Sequence, residues 1–201
     1  MRRLTLPLAG AMLALALPAL SQTVATTIRV RGTVVSMTAD SLVIKTREGV
    51  VEPIALTPSW SVTLVKPVDV STIQPGSFIG TTEVDKGDGT GRSLEVHVFP
   101  PGVKMGEGHY DWDLKPNSKM TNGTVGKVVV GHKGQELDVA YPGGTRHVVV
   151  PKKVPVVLMT PGDRAMVHPG AHLFIIAGHK PDGGLIAYQM VTGVDGAAPP
   201  M

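Results

Sequence analysis

Displaced by 94 residues, the chain matches itself. Val62 to Val98 lies on Val156 to Thr192 without a gap, and nine of the 37 positions are identical. Val62, Leu64, Pro67, Asp69, Pro75, Gly76, Lys86, Asp88 and Gly89 meet Val156, Leu158, Pro161, Asp163, Pro169, Gly170, Lys180, Asp182 and Gly183. These are turn formers and apolar positions, where backbone geometry is demanding. Upstream, Gly32-Thr33-Val34 matches Gly123-Thr124-Val125 at an offset of 91, so a small insertion separates the two stretches. The constraint is strong: two similar units of about 70 residues must form two modules or two halves of one larger sheet structure.

Composition decides what each unit is made of. Glycine (24) and proline (17) punctuate short stretches rich in Val, Ile, Leu and Thr, the pattern of an all-β domain with many tight turns. Predicted strands in the first unit are Ile28 to Ser36, Ser41 to Thr46, Gly49 to Leu56, Ser61 to Val65, Ser77 to Val84 and Arg92 to Phe99. The second unit offers Gly123 to Val130, Gln135 to Tyr141, Thr145 to Val150, Val156 to Met159, Ala171 to Gly178 and Leu185 to Thr192. Helix is limited to about one turn near Val70 to Gln74. Five or six strands per unit suit a small closed barrel of OB-like order, and closure removes the free edges that invite aggregation. A connector with Pro100, Pro101, Gly102 and Pro116 favours separate barrels. The expected organisation is therefore a signal peptide over 1–21, barrel modules over 22–100 and 121–193, a connector over 101–120 and a tail over 194–201.

The signal peptide is read from Met1, Arg2 and Arg3 followed by a nearly continuous apolar run from Leu4 to Leu20, with Ala19 and Ser21 placed for cleavage after Ser21. This predicts a periplasmic or secreted protein. No second apolar segment approaches 20 residues, so no membrane-spanning segment is expected in the mature chain. Without Arg2 and Arg3 the chain carries 17 basic and 16 acidic residues, so most of its net charge of +3 belongs to the leader. The absence of cysteine excludes disulfides and thiolate metal sites, leaving packing to stabilise the fold. Eight aromatic residues and a near-neutral mature charge argue against nucleic acid as a partner.

Gly-Thr-Val at 32 to 34, Leu-Val-Ile at 42 to 44, Pro75-Gly76 before a strand, Asp88-Gly89 and Leu94-Glu95-Val96 together resemble a family of exported bacterial domains of unknown function. That resemblance implies an OB-like fold in tandem copies. Leu94 to Pro100, Gly106-Glu107-Gly108-His109, Trp112-Asp113-Leu114 and the ending Ala198-Pro199-Pro200-Met201 resemble a narrower group of periplasmic proteins, some labelled as related to metal transport. The resemblance covers nearly all the mature chain and implies location and fold, with no activity to carry over.

Candidate chemistry centres on the last strand of the first unit. Glu95 and His97 share a face, about 7 Å apart at strand rise. The connector supplies Glu107, His109, Asp111 and Asp113, with Met105. A connector folding back over that face would bring Glu95, His97, Glu107, His109 and Asp113 to one ion, a set suited to zinc, manganese or copper(II). The opposing reading is a solvated strand and a polar linker. No histidine recurs between the units: Val191 stands where the first has His97, and His172 where it has Phe78. A metal centre would thus be a feature added to one unit.

A weaker copper clamp is His168 and His172 with Met166. Gly87 to Gly91 reads as a hairpin turn, since no helix follows to complete a phosphate cradle. Asp85 and Asp88 are too few and wrongly spaced for a calcium loop. Hydrolase motifs are missing, which leaves only a triad assembled from distant Ser, His and Asp as a catalytic route. Tyr110 and Trp112, alternating with Asp111 and Asp113, are candidates for ligand or partner contact, including an envelope protein, or for pinning the linker to a barrel. The expectation is a non-catalytic periplasmic binding or accessory protein, with a structural envelope module as the alternative.

Overall fold

A computed structural model describes residues 27–132 and 134–201. The expected signal peptide lies outside them. The described chain is all-β, with twelve strands: β1 (Ile28–Met37), β2 (Ser41–Thr46), β3 (Val51–Pro67), β4 (Phe78–Asp85), β5 (Gly91–Val98), β6 (Gly108–Asp111), β7 (Ser118–Gly131), β8 (Gly134–Tyr141), β9 (Gly144–Pro151), β10 (Val156–Pro161), β11 (His172–His179) and β12 (Leu185–Gly193). No helix among the described residues is long and apolar enough to cross a membrane.

The strand pairings cross between the two units. β1, β2 and β3 form an antiparallel meander, but β1 continues onto β11 of the second unit. β11 pairs with β12, and β12 returns parallel to β3 to close a five-stranded barrel. The reciprocal ring is β7, β8 and β9 with β4 and β5 of the first unit: β4 lies on β7, β5 on β4, and a short parallel contact at Gly91↔Val148 and Arg92↔Val149 joins β5 to β9. Both rings follow the order first, second, third, fifth, fourth strand. Each takes its first three strands from one unit and its last hairpin from the other. A module confined to 22–100, and its partner confined to 121–193, is therefore not what the chain builds.

Two strands are expected between 49 and 65, whereas β3 runs unbroken from Val51 to Pro67 and pairs with β12 on both sides of Pro58. Its far half pairs antiparallel with β10, with Val65 opposite Met159. Those two residues are equivalent under the 94-residue shift, so this pairing is symmetric about its own centre. Other equivalent positions do equivalent work. Asp69 and Asp163 each cap a 3-10 turn, accepting from Ser71 N and Ala165 N. A Cβ on Gly32 would stand 2.3 Å from the Lys45 carbonyl oxygen, and one on Gly123 the same 2.3 Å from that of Ala140, so only glycine lets the first two strands of each ring approach so closely.

Alternation on the strands fills three apolar cores. Val34, Ile44, Ile54, Ile175 and Met190 occupy ring one, and Ile79, Val96, Val125, Leu137 and Val148 occupy ring two. A third core lies in the seam between the rings and contains Val65, Phe78, Phe99, Met159, Phe174, Val191 and Met201. The expected tail thus ends inside the fold. Met201 is buried, and Arg31 Nε donates to its carbonyl oxygen at 2.9 Å.

Candidate functional site

β5 directs Val96 and Val98 into ring two, so Glu95, His97 and Phe99 point the other way, into the seam. Glu95 is completely buried. Its Oε1 accepts from the Thr82 amide at 2.8 Å and from the Thr82 hydroxyl at 2.7 Å, and its Oε2 lies 3.1 Å from His97 Nδ1. A buried carboxylate costs free energy unless donors surround it, and this one has three. The arrangement fixes the imidazole as well. Nδ1 is the nitrogen turned to Glu95, so Nε2 is the one turned away from it. Nε2 makes no hydrogen bond among the described residues. A Cβ on Gly80 would fall 2.0 Å from Nε2 and 2.2 Å from Asn122 Oδ1, so the ring and the amide meet above a position that only glycine leaves open.

His97 and Asn122 also line a cavity of about 160 Å³ between the rings. Its wall includes His97, Asn122, the connector aromatics Tyr110 and Trp112, and four methionines, Met105, Met120, Met159 and Met201. Met120, Met159 and Met201 are buried, while Met105 is 48% exposed on the connector. Asn122 Oδ1 and Trp112 Nε1 are buried without a hydrogen-bond partner among the described residues. The connector does fold back here. Trp112 packs on Phe174 with centroids 6.1 Å apart and carries the Arg29 guanidinium at 4.0 Å, and Tyr110 Oη approaches Asn122 Nδ2 at 2.9 Å.

The five expected metal ligands do not converge. Glu95 and His97 meet, but His109 leaves on the opposite face, because β6 pairs with β7 and its side chains alternate. Tyr110 faces the cavity. His109 Nδ1 instead contacts the Thr121 hydroxyl at 2.8 Å, with Glu83 Oε1 at 3.6 Å. Burial, then the charges of Arg146 and Lys119, hold the His109 pKa below its ordinary value, so near neutral pH it is uncharged. Asp113 pairs with Arg31 at 2.7 Å, Asp111 pairs with Lys119, and Glu107 is exposed. In the other expected clamp, His172 Nδ1 contacts the Thr33 hydroxyl and His168 Nδ1 the Pro169 carbonyl. Among the described residues no group of three or more His, Asp or Glu is placed to hold a metal ion.

A second polar cluster lies at one end of ring two. Glu83 is fully buried, and its Oε1 accepts from Arg146 Nε at 2.7 Å and, at a long 3.3 Å, from the Thr121 hydroxyl. Arg146 also reaches Asp85 at 2.9 Å and the Gly89 carbonyl at 2.9 Å. Burial raises the Glu83 pKa despite these donors, and Oε2 is left without one. Each charge here faces an internal partner, which makes it a structural brace. A depression of about 620 Å³ on the outside of ring one mixes Arg29, Arg31 and Arg47 with Glu48, Glu52 and Asp113. Its signs are too interleaved to select an ion.

Comparison with family models, curated proteins and solved structures yields no match. The described fold by itself defines the class: an all-β protein with a closed five-stranded barrel and further strands. The site must be judged on its geometry.

Proposed function

We propose that this is an exported, non-catalytic binding or accessory protein, in which two OB-like rings exchange hairpins and so build one small ligand cavity at their seam. One observation carries the reading: an imidazole oriented by a fully buried carboxylate, with its other nitrogen unengaged beside a cavity that both rings and the connector line. Such an orienting pair costs burial and adds nothing that an apolar pair would not add to the fold. Val191 occupies the equivalent place in ring one. The leader-like head and the resemblance to periplasmic proteins support export.

Native mass spectrometry and thermal melting test the reading with wild type and His97→Asn, whose amide keeps a donor toward Glu95 and removes Nε2. The expected result is a retained or added ligand that stabilises the wild type and not the variant. Equal ligand retention and equal stabilisation in both proteins would contradict it. The alternative, a structural envelope module, draws on one feature: Val130 is 78% exposed near the tip of the β7–β8 hairpin. In-cell crosslinking from that tip would favour it by capturing one envelope protein that Val130→Lys releases.

A further inference from the structure

We propose that the seam cavity is a site for the cuprous ion, bound by His97 Nε2 and the thioethers of Met120 and Met159, with Met105 or Met201 completing the set. The proposal rests on the binding reading above and names its ligand.

The donor chemistry selects the ion. The mature chain from Gln22 has seven methionines, and four of them line this one cavity. Methionine also fills irregular gaps in cores, so number alone would prove nothing. What distinguishes this group is the imidazole among them, oriented as ligating histidines usually are, with Nδ1 on a buried carboxylate and the ring in the cavity wall. Glu95 is held by Thr82 and His97 and so orients the ligand without serving as one. The set offered to an ion is neutral, soft and low in number, which favours Cu(I) and disfavours zinc or manganese, whose sites call for nitrogen, thiolate or carboxylate donors. A monovalent ion also loses less hydration on entering an apolar wall.

The absence of cysteine fits the same chemistry. In an oxidising compartment thiols are lost to disulfides, whereas thioethers form none and bind without releasing a proton. Trp112, in the cavity wall, supplies a reporter whose fluorescence copper binding quenches.

The test is an anaerobic titration of the mature protein with Cu(I) supplied as its coloured bicinchoninate complex. Wild type is expected to withdraw one equivalent, quench Trp112 and melt at a higher temperature, while Zn(II) changes none of these. Met120→Leu with Met159→Leu conserves volume, and its circular dichroism should match wild type while its copper affinity falls. His97→Asn should weaken binding as well, and Glu95→Gln, which acts through the imidazole, by about tenfold. Folded wild type that leaves the bicinchoninate complex intact overturns the proposal, as does undiminished binding in the methionine pair or in His97→Asn. If copper is refused while native mass spectrometry finds another His97-dependent occupant, only the metal assignment falls. A cavity that takes neither removes both readings.

Discussion

Rings one and two present the same three-strand crossing with opposite contents. In ring two, Asn122, Gly80 and His97 stand side by side on β7, β4 and β5. In ring one, Arg31, Phe174 and Val191 stand side by side on β1, β11 and β12, with the Arg31 guanidinium 4.9 Å from the Phe174 ring. Phenylalanine stands where ring two has the glycine over which the His97 ring and the Asn122 amide meet, and valine replaces the histidine. The interiors diverge likewise: Thr81, Glu83 and Ser93 are buried in ring two, where ring one buries Ile175, Ala177 and Ala187. Since ring one closes without any of these polar groups, the fold does not require them. Polarity in ring two is a local addition, concentrated on the hairpin that the first half lends to the second.

The comparison can be broken from either side. The largest loss is expected for Arg146→Ala, which leaves Glu83 buried and uncompensated, at about 3 kcal/mol by urea denaturation. A loss under about 1 kcal/mol would mean that water already reaches that carboxylate. Next, Ile175→Thr places ring two's residue in the apolar core of ring one, where Ala187 offers no hydroxyl, and is expected to cost about 2–3 kcal/mol. The converse test is milder. Thr81 donates to the Glu95 carbonyl at 2.7 Å and contacts the Ser93 hydroxyl at 2.7 Å, so Thr81→Val should cost about 1 kcal/mol.

The smallest effect is a slope in pH. The folded-state pKa of Glu83 is raised, so the native state holds its proton longer than the unfolded chain does. Its contribution is complete below the ordinary value of 4.5 and is lost as pH rises through the folded value. Relative to Glu83→Gln, wild-type stability should therefore decline with rising pH above 4.5. A parallel pair of stability curves would show that Arg146 fully offsets the burial.

Much of the fold is legible in the sequence. Val-Ile-Leu alternation places the strands, and the matched Pro-Gly and Asp-Gly pairs place the turns. The exchange of hairpins is not legible, for a physical reason. β4 and β11 occupy equivalent positions and present the same pattern of inward residues, so β1 can pair with either by alternation alone. β3 also runs on through Pro58, where proline reads as a break. At the site, Glu95 and His97 are foreseeable from their spacing. Met120, Met159 and Met201 are not, because they come from β7, β10 and the chain's last residue, brought together only by the seam. The replacement of Phe174 by Gly80 is the one sequence signal that would have marked where the His97 ring and the Asn122 amide meet.

Engineered cysteines test the exchange most directly, because the chain has none of its own. Thr33 faces His172 across β1 and β11, and Phe78 is the residue Thr33 would face if the first half closed on itself. Oxidised Thr33→Cys with His172→Cys should form a disulfide within the monomer, and Thr33→Cys with Phe78→Cys should stay reduced. A monomeric disulfide in the second pair and none in the first would contradict the exchanged rings, and with them a cavity shared between two halves of the chain.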